Sequence, residues 1–160
     1  MIDWNDFTLF LYILMRMSGF ILFNPIFGRN NIPGYLKAAM VLMLAVSVNS
    51  MYAGSVEPPS MLLEFALRLI LELGLGFVVA IIMQIFFYIP QQAGEVVDTQ
   101  MGMSMAKTYD AGSHASMTST ATLLHLLMML LFFAANGHIT LLSIMMTSGD
   151  IVPYGTATLG

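Results

Sequence analysis

The chain has 160 residues, 58% of them hydrophobic and only 9% charged, with a net charge of -4 and no cysteine. A soluble domain carries about a quarter charged residues, so this composition cannot clothe a globular surface, and it describes a membrane protein or a subunit buried almost wholly in other subunits. The absence of cysteine excludes disulfides, thiolate metal sites and cysteine nucleophiles, and an acidic chain with no basic patch gives no reason to expect nucleic acid.

In chain order, the N-terminus is acidic (Asp3, Asp6) where a secretory signal needs Lys or Arg, and no Ala-x-Ala follows. The first helix is therefore expected to stay in the mature protein. An apolar segment over 7–27 is long enough to cross a bilayer, for which about 20 residues suffice. Asp6 is placed to cap its start, Arg16 sits near its middle, and Pro25 and Gly28 are placed to end it. A short link carries Arg29 and Lys37 and a turn over 31–34. A second apolar segment covers 36–52, followed by the rigid connector Glu57-Pro58-Pro59.

The third segment, 60–89, carries Glu64, Arg68 and Glu72 at i, i+4 spacing, an acid-base-acid ladder on one face. Gly76 and Ala80 stand in a small-xxx-small relation that permits close helix contact, and Pro90 is expected to stop the helix. A polar insert over 90–119 then breaks the apolar pattern, with a short helix expected over 91–106 and an irregular stretch over 109–116. Apolar helices follow over 117–135, containing His125, and 139–148, separated by a break at Asn136-Gly137-His138. Asp150, Pro153 and Gly155 are turn formers. The pattern predicts an all-α fold of five or six membrane-type helices in one domain over 1–160, without internal repeats. The basic residues Arg29, Lys37 and Lys107 place the first link and the insert in the cytoplasm and the N-terminus outside.

Candidate sites follow from residues that are out of place. A lipid-facing Arg16 would cost roughly 2.5–3.5 kcal/mol, so it is expected to face protein or water, and a structural pair with Glu64 or Glu72 is favoured over a role in a watery path. The Glu64, Arg68, Glu72 ladder is read as a self-neutralising stripe rather than a proton relay, because only Gln84 continues it before Pro90. Met101, Met103 and Met105 admit three readings: soft ligands for copper(I), a deformable seal around a passing chain, or filler in a chain with 16 methionines. Composition favours filler, and no second Met or His cluster at ligand spacing supports copper. His114, His125 and His138 form no metal spacing, and His138 is expected to satisfy backbone groups at a helix break. Nothing resembles a nucleophile triad or a phosphate loop, so no enzyme, metal or cofactor is expected. The insert, polar and glycine-hinged at Gly94, Gly102 and Gly112, reads as a segment that lines, plugs or gates a path. Its candidate gate residues are Met101, Met103, Met105, Gly112, Ser113, His114 and Ser116.

Arg16-x-x-Gly19 with Pro25, Phe27-Gly28 and Ile32-Pro33 resembles the opening of the flagellar biosynthetic protein FliR family. So does Ala93-Gly94-Glu95-x-x-Asp98-x-Gln100-Met101-Gly102-x-Ser104-Met105-Ala106, the most specific stretch. Asn136-Gly137-His138 and Ile151-x-Pro153-x-Gly155 follow in the family's order, so the resemblance spans nearly the whole chain. Two positions depart from it: Ile139, where the family often has a second histidine, and Asp110-Ala111, where it often has Asp-Pro. The resemblance implies a subunit of the type III protein export gate in the bacterial cytoplasmic membrane, at the flagellar basal body. It implies P-type and Q-type partners (FliP, FliQ), together with FlhB and FlhA, and unfolded flagellar proteins as substrates. It further implies kinked helical hairpins packed on sister subunits, and a P-like portion without the Q-like remainder. The residues do not separate a flagellar gate from a virulence secretion gate, and a copper or small-ion transporter using the methionine triplet is the rival from another class.

Overall fold

The computed structural model describes residues 4–29, 32–52, 56, 61–103, 107–110 and 115–156. It is helical, with α1 Trp4–Phe23, α2 Gly34–Met51, α3 Leu62–Gln100, α4 Ser119–Ala134 and α5 Gly137–Ile151. Between α3 and α4 lie two short antiparallel strands, β1 Lys107–Asp110 and β2 Ala115–Thr118, in the register Lys107 opposite Thr118 and Asp110 opposite Ala115. Within the stretch expected to be irregular, Tyr109 and Asp110 instead pair with Ser116 and Ala115 across the two strands, while 111–114 lie outside the described residues. Asp6 lies within the first turn of α1 rather than capping it.

Helix α1 buries Leu9, Tyr12, Ile13, Met17, Phe20 and Ile21, a stripe at three- and four-residue spacing. It meets Val41, Ala45 and Val48 of α2 and Leu141 and Met145 of α5 in one apolar core, which Tyr154 closes. Along α3 the buried positions are Glu72, Gly76, Ala80, Phe87, Gln91, Gly94 and Asp98. That stripe runs unbroken past Pro90, which does not end the helix as its residue type predicts. Proline inside a helix costs about 3 kcal/mol and leaves one carbonyl without its donor. Burial of the stripe on both sides of Pro90, against α1 on one and α4 on the other, outweighs that cost. The result is a 39-residue rod about 58 Å long at 1.5 Å per residue, longer than the ~30 Å hydrocarbon layer of a bilayer.

Small residues decide where the helices cross. Gly19 sits on the backbone of Leu73 and Phe77, and Gly76 sits on the backbone of Arg16 and Phe20, so any side chain at either position would overlap main-chain atoms. Helices α1, α2 and α3 are each long and apolar enough to cross a membrane. Helices α4 and α5 pass that test only as a pair, bent by 65° at the break. Asn136 adopts the left-handed conformation at this elbow (φ 56°), and Gly137 faces the ring of Phe132, which a side chain there would overlap.

Candidate functional site

The close crossing of α1 and α3 brings together the charges that the sequence scatters. Arg16 is 1% exposed and Glu72 0%. The guanidinium holds the Glu72 carboxylate through Nε at 2.7 Å and Nη2 at 2.6 Å. Arg16 Nη1 also donates to the Ser148 carbonyl (3.2 Å), the Ser148 hydroxyl (2.9 Å) and the Val152 carbonyl (3.0 Å). These carbonyls lie at the C-terminal end of α5, where a cation is favoured, and the Ser148 carbonyl also accepts the Val152 N–H at 3.0 Å. The Tyr154 ring lies 4.2 Å from the guanidinium carbon, within cation–π range. The second Glu72 oxygen accepts the Gly155 N–H at 2.8 Å. One buried pair thus fastens α1, α3 and the end of α5.

The ladder on α3 is divided accordingly. Arg68 pairs with Glu64 on the half-buried outer side of the helix and donates to the Gly155 carbonyl at 2.9 Å, while Glu72 turns to Arg16 instead. The reason is geometric, because the Gly19/Gly76 seam carries Arg16 across α3 beside Glu72.

A second polar cluster anchors the insert. Helix α3 ends with Gly102 at φ 72°, Met103 N–H bonded to the Asp98 carbonyl at 2.9 Å and Gly102 N–H bonded to the Thr99 carbonyl at 3.2 Å. This is the Schellman pattern, which needs a residue without Cβ at the left-handed position. The Asp98 carboxylate, 1% exposed, accepts the Thr120 N–H at 2.8 Å and the Thr120 hydroxyl. Gly94 faces the backbone of Ala121 with no room for a side chain.

Of the candidate gate residues, Met101 and Met103 are exposed at the end of α3, at 67% and 47%, and Ser116 lies on β2. Met105, Gly112, Ser113 and His114 fall outside the described residues. Among the motif residues, Glu95 is half-buried and Gln100 is exposed. Pro153 is exposed, with its carbonyl accepting the Thr156 hydroxyl at 2.7 Å. At the helix break, His138 Nδ1 is buried without a hydrogen-bond partner among the described residues, and its ring packs on Phe133 at 5.2 Å. The described residues hold no group of three His, Asp or Glu side chains arranged for a metal ion. Sequence reasoning missed Ser148, Thr120 and Tyr154. Of these, only Tyr154 carried a signal, as an aromatic inside the Pro153/Gly155 turn.

The family model described as "Bacterial export proteins, family 1" matches residues 7–160. The chain is 30% identical over 150 residues to the flagellar biosynthetic protein FliR of Escherichia coli (strain K12), covering 92% of this chain and 56% of that protein. It is 26% identical to FliR of Buchnera aphidicola subsp. Baizongia pistaciae, covering 94% and 60%. With FliR of Bacillus subtilis (strain 168) the identity is 28%, over 85% and 52%. The chain spans between about half and three fifths of the length of these curated relatives.

Proposed function

The chain belongs to the bacterial export proteins, family 1, and we propose that it is a subunit of the flagellar type III protein export gate. In this reading it forms part of the channel through which unfolded flagellar proteins cross the cytoplasmic membrane at the base of the flagellum. Beside the family match, one structural observation supports it: Arg16 and Glu72, charged groups in the middle of apolar helices, are turned inward onto one another, while large apolar side chains face outward. Leu67, Ile70, Val78, Ile82, Ile85 and Ile89 are all exposed along α3, and Leu123, Leu126, Leu127, Leu130 and Leu131 along α4. A surface of that extent marks an interaction face. P-type and Q-type gate subunits are the proposed neighbours, with lipid covering the remainder. The insert is the proposed closure: Met101 and Met103 stand exposed at its start, and thioether side chains repack readily around a moving chain.

The test is purification of the tagged chain from flagellated cells in mild detergent. P-type and Q-type subunits should co-purify, and deletion of the chain should abolish secretion of filament protein. Isolation as a lone monomer, with secretion intact in the deletion strain, refutes the proposal. Loss of virulence-effector secretion with flagella unaffected would move it to the virulence gate. Shortening the insert within 112–116 should raise small-ion leak through the assembled complex, and unchanged conductance removes the closure role.

A further inference from the structure

Where α1 passes into the link before α2, a cleft of about 410 Å³ lies between α1, α3 and α4, inside the roughly 300–1,000 Å³ range of small-ligand pockets. The polar side chains along it include Asn24, Arg29, Gln84, Gln91 and His125, with no acid among the described residues. Asn24 is 1% exposed. Its Oδ1 accepts the Ile26 N–H at 2.9 Å and the Phe27 N–H at 3.3 Å, and its Nδ2 is buried without a partner among the described residues. A buried donor left unmet is costly, so this lining favours an occupant that accepts hydrogen bonds. Arg29 is the one permanent charge along it among the described residues. Residues 7–56 contain no Asp or Glu, so this end of α1 and α2 is basic in a chain that is acidic as a whole. A negatively charged group rich in acceptors is the complement of such a lining.

The cleft also sits at the depth of a lipid headgroup. Helix α1, Trp4–Phe23, rises about 30 Å at 1.5 Å per residue and ends beside it. Helix α3 ascends next to α1, with Tyr12 on Phe65 and Phe23 on Phe77. It reaches Gln84 about 33 Å above its start at Leu62. Both lengths match the ~30 Å hydrocarbon layer, which puts the cleft at one of its boundaries. By the bias of basic residues that boundary is the cytoplasmic one, whose leaflet carries anionic lipid. Apolar troughs flank the cleft on two sides: Leu22 also lines one between α1 and α2, and Gln84 and Tyr88 also line one along α3. We propose that the cleft binds the phosphate headgroup of an anionic phospholipid, with Arg29 and the Asn24 amide as donors and the acyl chains lying in the troughs. The proposal is independent of the gate reading, because its readout is lipid retention and not secretion.

The test titrates phosphatidylglycerol into the full chain, purified in mild detergent with whatever subunits accompany it, and counts bound lipid by native mass spectrometry. Phosphatidylcholine and inorganic phosphate are the comparison ligands. Phosphatidylglycerol should bind about fivefold more tightly than phosphatidylcholine, the ratio that one basic residue beside an anionic headgroup supplies. Arg29→Gln should erase that preference. Lys37→Gln should keep it, because Lys37 stands outside the cleft with its Nζ on the Gly28 carbonyl. Equal losses in the two variants would mean diffuse attraction to a basic surface and overturn the site. Inorganic phosphate that displaces phosphatidylglycerol would make this a free-anion site, which overturns the lipid assignment. Should Arg29→Gln fail to fold, Gln91→Glu decides. It keeps the shape of a side chain that is 9% exposed and puts a negative charge in the cleft. Phosphatidylglycerol binding should then fall by at least about fivefold, and unchanged binding overturns the inference. A parent chain with no preference for the anionic lipid overturns it too, and leaves the cleft to a partner's acidic side chain.

Discussion

Replacing Arg16 by methionine keeps most of the apolar stem and deletes the guanidinium that holds Glu72, Ser148 and Val152. The Glu72 carboxylate, 0% exposed, would then be buried without its counter-ion, an arrangement that costs roughly 3–5 kcal/mol when one partner of a buried pair is removed. The Val152 carbonyl would also lose this donor, at about 1 kcal/mol, while the Ser148 carbonyl keeps the Val152 N–H, and the cation–π contact with Tyr154 would vanish. These losses share one group and do not add, so about 4 kcal/mol is expected, a large part of the 5–15 kcal/mol available to a typical domain. Glu72→Gln is the complementary change. It retains an acceptor for Gly155 N–H, strands the Arg16 charge, and should cost roughly 3 kcal/mol. The double variant should be more stable than the summed single costs by at least ~1 kcal/mol, the coupling expected of directly contacting residues. Denaturant unfolding of the purified chain in detergent, followed by far-ultraviolet circular dichroism, measures all four corners of this cycle. Limited proteolysis reports in parallel whether α5 is released first. An Arg16→Met variant within ~0.5 kcal/mol of the parent, or an additive cycle, would refute the assignment of α5 docking to this pair.

Two glycines on α3 provide an internal control for helix crossing. Gly74→Ala has no neighbour within 4 Å of the added methyl and should stabilise by about 0.5–1 kcal/mol through helix propensity. Gly76→Ala gains the same propensity but overlaps the Arg16 backbone, so it should destabilise by a net ~1–3 kcal/mol; equal effects in the same unfolding assay would contradict the close seam. Burial pushes the Tyr154 phenol up to about 12 from an ordinary value near 10, so the folded chain keeps its proton after the unfolded chain has begun to lose it. Its contribution is therefore intact below pH 10 and falls away as pH rises from about 10 to 12. The Tyr154 hydroxyl makes no hydrogen bond among the described residues. Tyr154→Phe should accordingly leave stability at pH 7 unchanged or higher and flatten part of the alkaline decline, as measured by melting temperature against pH; a loss of more than ~1 kcal/mol at pH 7 would show that the hydroxyl is bonded.

Period and composition alone determined that this chain is built of apolar helices. They also determined that Arg16 has no place facing lipid, and that the polar stretch after Ile89 differs in kind from what surrounds it. The break at Asn136-Gly137 was readable too, because Asn and Gly are the residues that most readily leave the right-handed helical conformation. Tertiary structure decided what local pattern could not. Pro90 carries a stop signal, yet burial on both flanks keeps α3 running to Gln100, where the glycine at 102 supplies the end. Glu64 and Glu72 are equivalent on the α3 ladder, and only the depth of the Gly19/Gly76 crossing selects Glu72 as the partner of Arg16. Asp98 reads as one more acid near a helix end, and its link to Thr120 exists only because Gly94 lets α4 lie against α3. The division has a single physical cause. Helix formation and burial preference act over three or four residues and are written locally, whereas ion pairing and cross-helix capping depend on how closely two distant backbones approach, which the small residues between them set.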